Sequence, residues 1–129
     1  MGMPLHYGDP SVTGSDLRRF LPLTHLEYHV LAGLAETPAH GYALVQRIRE
    51  RSGGLIDPGT GSFYSIVKKL SDDGLIAEVD EAGQAHRRRC YEATKLGLAV
   101  LVAETHRLSA QIAAARRLRP AFGIRGGHR

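Results

Sequence analysis

Residues 60–94 read TGSFYSIVKKLSDDGLIAEVDEAGQAHRRRCYEAT, and two kinds of periodicity follow one another inside that stretch. Phe63, Ile66, Val67 and Leu70 recur at helical spacing, which predicts a helix opening near Thr60 to Ser62 with one buried stripe. Ser71-Asp72-Asp73-Gly74 ends it with a glycine C-cap. Leu75 to Val79 is then apolar and half alternating, Asp80-Glu81-Ala82-Gly83-Gln84 is rich in turn residues, and His86 to Ala93 can return as an antiparallel strand. The expectation is a helix followed at once by a β-hairpin. Its turn, Asp80 to Ala85, has no apolar anchor and should be mobile.

Upstream, the spacing predicts two more short helices. Thr24 can cap one whose apolar positions Leu26, Val30, Leu31 and Leu34 run on until Thr37-Pro38 stops it. Beyond His40-Gly41, Tyr42, Leu44, Val45 and Ile48 mark a second that ends at Ser52-Gly53-Gly54, with Arg47, Arg49 and Arg51 mostly on its outer side. Residues 1–22 hold Gly, Pro, Ser and Asp without apolar periodicity and read as a flexible arm, although Asp16 to Leu21 could form a helical turn or two. Downstream, Leu98, Leu101, Thr105, Leu108, Ile112 and Ala115 alternate by three and four along a helix over 94–118, the seam of a helix that packs on a partner helix. The pattern stops at Arg119-Pro120, and residues 119–129 read as a basic flexible tail.

These elements lie in a chain of 129 residues, 43% hydrophobic and 23% charged, which suits a single domain. No apolar run approaches the roughly 20 residues a bilayer span requires, and the N-terminus lacks the basic start and apolar stretch of a secretory signal, so a cytoplasmic protein without membrane contact is expected. A lone cysteine, Cys90, excludes an internal disulfide and any CxxC pair. Seventeen Lys and Arg against thirteen Asp and Glu give a net charge of +4, and no acidic residue follows Glu104. Such a balance suits a polyanion, nucleic acid first and an anionic membrane surface second.

Three short helices, a hairpin and a long terminal helix form the plan of a winged helix-turn-helix, a mainly α fold with a small β-hairpin and a C-terminal dimerisation helix. In this plan residues 23–93 make the DNA-binding unit and the third helix enters the major groove. Lys68 and Lys69 lie on that helix, and Arg87, Arg88 and Arg89 lie at the base of the returning strand. A strand's period of two puts Arg87 and Arg89 with Tyr91, and Arg88 with His86 and Cys90. Three arginines could not be buried unpaired, so part of the hairpin must stand free as a cationic arm.

The residues also resemble a known family, the PadR-type transcriptional regulators. The likeness runs through His40-Gly41-Tyr42, Gly61-Ser62-Phe63-Tyr64 with Lys68-Lys69-Leu70, Asp73-Gly74-Leu75-Ile76, and Arg88-Arg89-Cys90-Tyr91-Glu92-Ala93-Thr94 with Gly97. It spans about Leu23 to Leu118. It implies a homodimeric transcription factor, usually a repressor, that binds an inverted-repeat operator in double-stranded DNA and often releases it on binding a small aromatic or drug-like effector. No cofactor is implied. Cys90 stands where the family usually has an aromatic residue, and the single short C-terminal helix resembles the smaller subgroup. The chain has no Trp, the residue some small members use to stack planar ligands.

Individual residues admit sharper and plainer roles. Adjacent helical residues diverge by about 100 degrees, so if Phe63 joins the buried stripe, Tyr64 lies off it and can hydrogen-bond a phosphate rather than pack as a core aromatic. Ser62 serves as an N-cap, a DNA contact or both. Lys68 and Lys69 are solvated charges or, in this helix, nucleic-acid contacts. Leu98, Leu101, Thr105, Leu108 and Ile112 form the dimerisation seam. His25 and His29 have the spacing of a metal pair, yet Glu27 is out of place for a His-Glu-x-x-His motif and no third ligand is evident, so no metal is expected. Cys90 is an inert packing residue before it is an oxidant sensor. An enzyme is disfavoured, because Asp72-Asp73 end a helix and the histidines are scattered. The stronger rival is a winged helix used for protein–protein contact without DNA binding, which would need no cationic wing.

Overall fold

The computed structural model describes residues 14–79 and 89–121. The expected hairpin turn, Arg87, Arg88, and the outer parts of the arm and tail lie outside the described residues.

Helix α2, His25–Gly33, starts where its cap chemistry dictates. Thr24 Oγ1 accepts the Glu27 N–H at 3.1 Å and Glu27 Oε1 accepts the Thr24 N–H at 2.8 Å, a reciprocal capping box. Helix α3, Gly41–Arg51, follows the two-residue strand β1, Ala39–His40, and stops before Gly53 and Gly54, both at positive φ. Its buried stripe is Gly41, Leu44 and Ile48, so Tyr42 faces outward and is 76% exposed. This corrects the placement of Tyr42 among the apolar positions: two residues before Leu44 it lies about 200 degrees around the helix.

Helix α4, Thr60–Asp72, buries Phe63, Val67 and Leu70 as the periodicity predicts. Its N-cap is Gly59, so Ser62 is the third residue of the helix and not its cap. At the other end Gly74, φ +79°, lets the Leu75 N–H reach the Leu70 carbonyl at 2.9 Å and the Gly74 N–H reach Ser71 at 3.0 Å. This is a Schellman closure that turns the chain into strand β2, Ile76–Val79. Strand β3, Cys90–Ala93, returns antiparallel, pairing Ile76 with Ala93 and Val79 with Cys90. β1 adds to its other edge, Ala39 opposite Tyr91, so the sheet order is β1-β3-β2. The hairpin is therefore a three-stranded sheet, because two residues before α3 are too short a strand to announce themselves by alternation.

Helix α5, Lys95–Arg116, opens on Thr94, whose Oγ1 accepts the Gly97 N–H at 3.0 Å and donates to the Gly74 carbonyl at 2.7 Å. Its inner face, Gly97, Val100 and Glu104, packs over a core built from Val30, Leu31, Leu44, Ile48, Phe63, Leu70 and Leu75. A short α1, Gly14–Leu17, lies against α5 with Leu17 fully buried, and a 3₁₀ turn, Arg18–Phe20, follows it. The flexible arm expected over residues 1–22 thus needs correction over its described part: the helical turns around Asp16 to Phe20 are anchored by fully buried Leu17, with Phe20 and Leu21 packed against the core beside it. No helix among the described residues is long and apolar enough to cross a membrane.

Candidate nucleic-acid interface

With Phe63, Val67 and Leu70 turned inward, the outer face of α4 presents Gly61, Ser62, Ser65, Lys68 and Asp72 to solvent. The sequence by itself does not single out Ser65, although it sits three residues after Ser62 and three before Lys68, off the buried stripe. Lys68 Nζ is 2.9 Å from Asp72 Oδ2, an exposed i,i+4 pair that solvent screens. Lys69 has a different setting. Its ammonium lies 3.1 Å from Glu27 Oε2, a buried carboxylate on α2, and 3.3 Å from Asp73 Oδ2. The hydrogen bond to Glu27, opposed by partial burial and aided by Asp73, holds the Lys69 ammonium above its ordinary 10.5. Lys68 and Lys69 are neighbours in sequence, but only Lys68 has all its partners on the outer side of its own helix.

Tyr64 is half exposed and stands edge-on to Phe63, ring centroids 5.0 Å apart. Its hydroxyl lies over Gly41, where a Cβ would come within 2.8 Å of it. Tyr42 accepts a 3.0 Å hydrogen bond from Gln46 on its phenol oxygen. Arg89, leading into β3, holds Glu78 on β2 at 3.1 Å and is 71% exposed. Tyr91, two residues on and opposite Glu78, is buried, and that burial, ahead of the Glu78 carboxylate, pushes its phenol above the ordinary 10.0. Together Tyr42, Tyr64 and Tyr91, with His40, Gly41 and Arg89, line an open cleft of about 630 Å³ between α3, α4 and β3.

Other candidates fall elsewhere. Arg47 is turned back onto three backbone carbonyls, Gly33 at 2.7 Å, Thr37 at 2.9 Å and Pro38 at 3.2 Å, and Arg49 pairs with Asp57 at 2.6 Å, so these two arginines of α3 secure the loops on either side of it. Cys90 is 4% exposed in the central strand, a position with little access for an oxidant. His29 is half-buried and held below the ordinary 6.5 by burial first, then by Arg51 and His25.

On α5, Leu98, Leu101 and Leu108 are half-buried, Thr105 is exposed and Ile112 is 51% exposed. The Thr105 hydroxyl donates to the Leu101 carbonyl at 2.9 Å, so Tyr28 on α2 is the donor of the 3.0 Å hydroxyl pair it makes with Thr105. From Ser109 to Leu118 every residue is exposed. Between α2, α3 and α5 runs a groove of about 370 Å³ whose lining includes Tyr28, Ala32, Leu101, Thr105, Glu36 and Glu50. Glu104 is buried and accepts from the Leu23 N–H at 2.9 Å and from Arg107 Nε and Nη2 at 2.6 and 2.9 Å. Those Arg107 bonds outweigh burial and hold its carboxyl below the ordinary 4.5.

Solved structures share this fold. A transcriptional regulator from Clostridium thermocellum superposes with a TM-score of 0.63 at 19% identity, over 82% of this chain and 96% of that one. A PadR family transcription regulator from Clostridium difficile R20291 does so with a TM-score of 0.61 at 20% identity, over 73% and 97%. In sequence, the transcriptional regulator Rv3488 of Mycobacterium tuberculosis is 32% identical over 80 residues, covering 62% of this chain and 72% of that protein. An uncharacterised 37.1 kDa protein in transposon Tn4556 of Streptomyces fradiae is 35% identical over 80 residues, but the chain matches only 22% of its length. The model of the transcriptional regulator PadR-like family matches residues 30–103, from within α2 to well into α5. With the three helices, the hairpin strands β2 and β3 and the long terminal helix following in that order, the chain belongs to the PadR-like family of transcriptional regulators.

Proposed function

We propose that the chain acts as a homodimeric repressor that binds an inverted-repeat operator in double-stranded DNA and is released by a small aromatic or drug-like effector. The observation that carries this reading is the outer face of α4. Gly61, Ser62 and Ser65 are small, so the backbone can approach base edges closely, and Lys68 follows on the same side to meet a phosphate. Tyr64 and Arg89 flank that face, and the sequence places Arg87 and Arg88 beside Arg89. Lys69 acts in this reading by fastening α4 to α2 through Glu27. The half-open seam Leu98, Leu101, Thr105, Leu108 and Ile112 supports assembly of two copies through α5. The groove beside it, with apolar Ala32 and Leu101 and the Tyr28 ring, suits an effector near the dimer axis. The test is a gel shift on genomic fragments with sedimentation of the same sample. A dimer that shifts a subset of fragments in competitor DNA is the expected result. Absence of any shift at low salt would favour a winged helix used for protein contact.

A further inference from the structure

We propose, on the premise that the chain binds DNA as a dimer, that Glu104 and Glu27 are positioning residues: through the start of α2 they fix the pose of α4 against α5, and so the half-site spacing that the dimer accepts. Among the described residues, Glu27 and Glu104 are the buried charged side chains, at 5% and 1% exposure. They meet at one point of the backbone. The Leu23 N–H donates to Glu104 Oε2 at 2.9 Å, and the next N–H, that of Thr24, donates to Glu27 Oε1 at 2.8 Å. The other Glu27 oxygen, Oε2, lies 3.1 Å from Lys69 Nζ on α4. On the far side Arg107 grips both Glu104 oxygens and reaches Gln111 with Nη1 at 2.9 Å. A continuous chain of polar contacts thus runs from the exposed half of α5, through the cap of α2, to α4.

Physical chemistry favours a positioning role over a purely stabilising one. A buried carboxylate is costly to desolvate, and apolar residues of similar volume often serve stability as well or better. Apolar packing is non-directional, however, so it leaves helices free to tilt where a well-made hydrogen bond fixes distance and direction. α2 is held to α5 at a second place, one turn along, where the Tyr28 hydroxyl donates to Thr105, the residue after Glu104. Two fixed places set a crossing angle where one would leave a pivot. Glu27 and Tyr28 are neighbours on α2 that engage different helices, Lys69 on α4 and Thr105 on α5. A tilt of α5 is therefore passed on to α4 rather than absorbed between them. Because α5 also carries the proposed seam, the same contacts relate α4 to the two-fold axis.

The test reads spacing rather than stability. Each base pair of spacer moves a half-site by about 3.4 Å and turns it by about 35 degrees. Duplexes carrying the inverted repeat found by gel shift, with its spacer changed by one base pair either way, therefore sample the pose of α4. Circular dichroism and sedimentation first check that each variant is a folded dimer. The unmodified protein should lose about tenfold in affinity on each change of spacer. Glu104→Met should bind the best duplex about tenfold more weakly, bind a lone half-site unchanged, and lose less than about threefold on changing the spacer. Glu104→Gln keeps an acceptor for the Leu23 N–H and should restore most of the selection. Glu27→Gln keeps the capping box, which Gln also closes, and removes the charge that holds Lys69. It should broaden spacer selection as Glu104→Met does, and the two together should broaden it no further, since both break one chain. Additive effects, an unmodified dimer that ignores spacer length, or a Glu104→Met dimer as selective as the unmodified one would overturn the proposal. If Glu104→Met does not fold, Glu27→Gln decides alone, and unaltered selection in it overturns the proposal. An unmodified protein that shifts no duplex, or shifts it as a monomer, removes the premise and the proposal with it.

Discussion

Gly97 stands where α5 crosses the end of α4, and a Cβ built on it would lie 2.0 Å from the Leu75 carbonyl oxygen. The obstacle is backbone, which cannot swing aside as a side chain can. Gly97→Ala should therefore cost about 3 kcal/mol in urea unfolding, the upper range for overpacking. The two lysines of α4 should separate cleanly. Lys68→Ala should leave stability unchanged and flatten the salt dependence of DNA binding by about one unit, whereas Lys69→Ala removes a partner from buried Glu27 and should cost about 1 kcal/mol of stability. Glu104 carries a pH dependence. Its folded pKa lies below the ordinary 4.5, so the stability it contributes is present above that value and lost as pH falls through the folded one. Thermal melts of Glu104→Gln should start lower at neutral pH and converge with those of the unmodified protein only as pH falls through the lowered Glu104 pKa.

At the scale of elements, α5 has two different halves. Its first half fills the core with Gly97, Val100 and Glu104, while every residue from Ser109 to Leu118 is exposed. A helix of 22 residues is about 33 Å long, more than this core can cover, and the surplus carries Ile112 and Leu118 at 51% and 70% exposure. Replacing Leu101 and Leu108 together with Glu would put four like charges into the proposed symmetric seam. Sedimentation should then show a monomer or an unfolded chain, with operator binding lost; a dimer that binds normally would place the assembly surface elsewhere. Gly74 matters at the same scale, because its φ of +79° is what turns α4 into β2. Gly74→Ala should cost about 1 kcal/mol.

At the scale of the molecule, one winged domain reads only a few base pairs, and a two-fold dimer presents two copies of α4 about 34 Å apart, one turn of DNA. Inserting about 5 base pairs between the half-sites should abolish binding by turning them to opposite faces. Inserting about 10 should restore part of it in a gel shift if the seam tolerates the longer span.

What was legible in the sequence is what short-range chemistry determines. The stripe Phe63, Val67 and Leu70, the cap at Thr24 and the glycine turn at Gly74 each depend on residues within about a helical turn of one another. They set the order of elements, and the order already implied a winged helix. The tertiary structure decided whatever depends on partners far along the chain. Leu17 is buried because α5 lies across it, and the Leu23 N–H finds its acceptor in Glu104, 81 residues away. β1 exists only because β3 offers an edge beside Ala39. Lys68 and Lys69 look equivalent until Glu27 captures one of them. Tyr42, Tyr64 and Tyr91 come from three separate elements, and no periodicity along the chain records that packing brings them to one cleft.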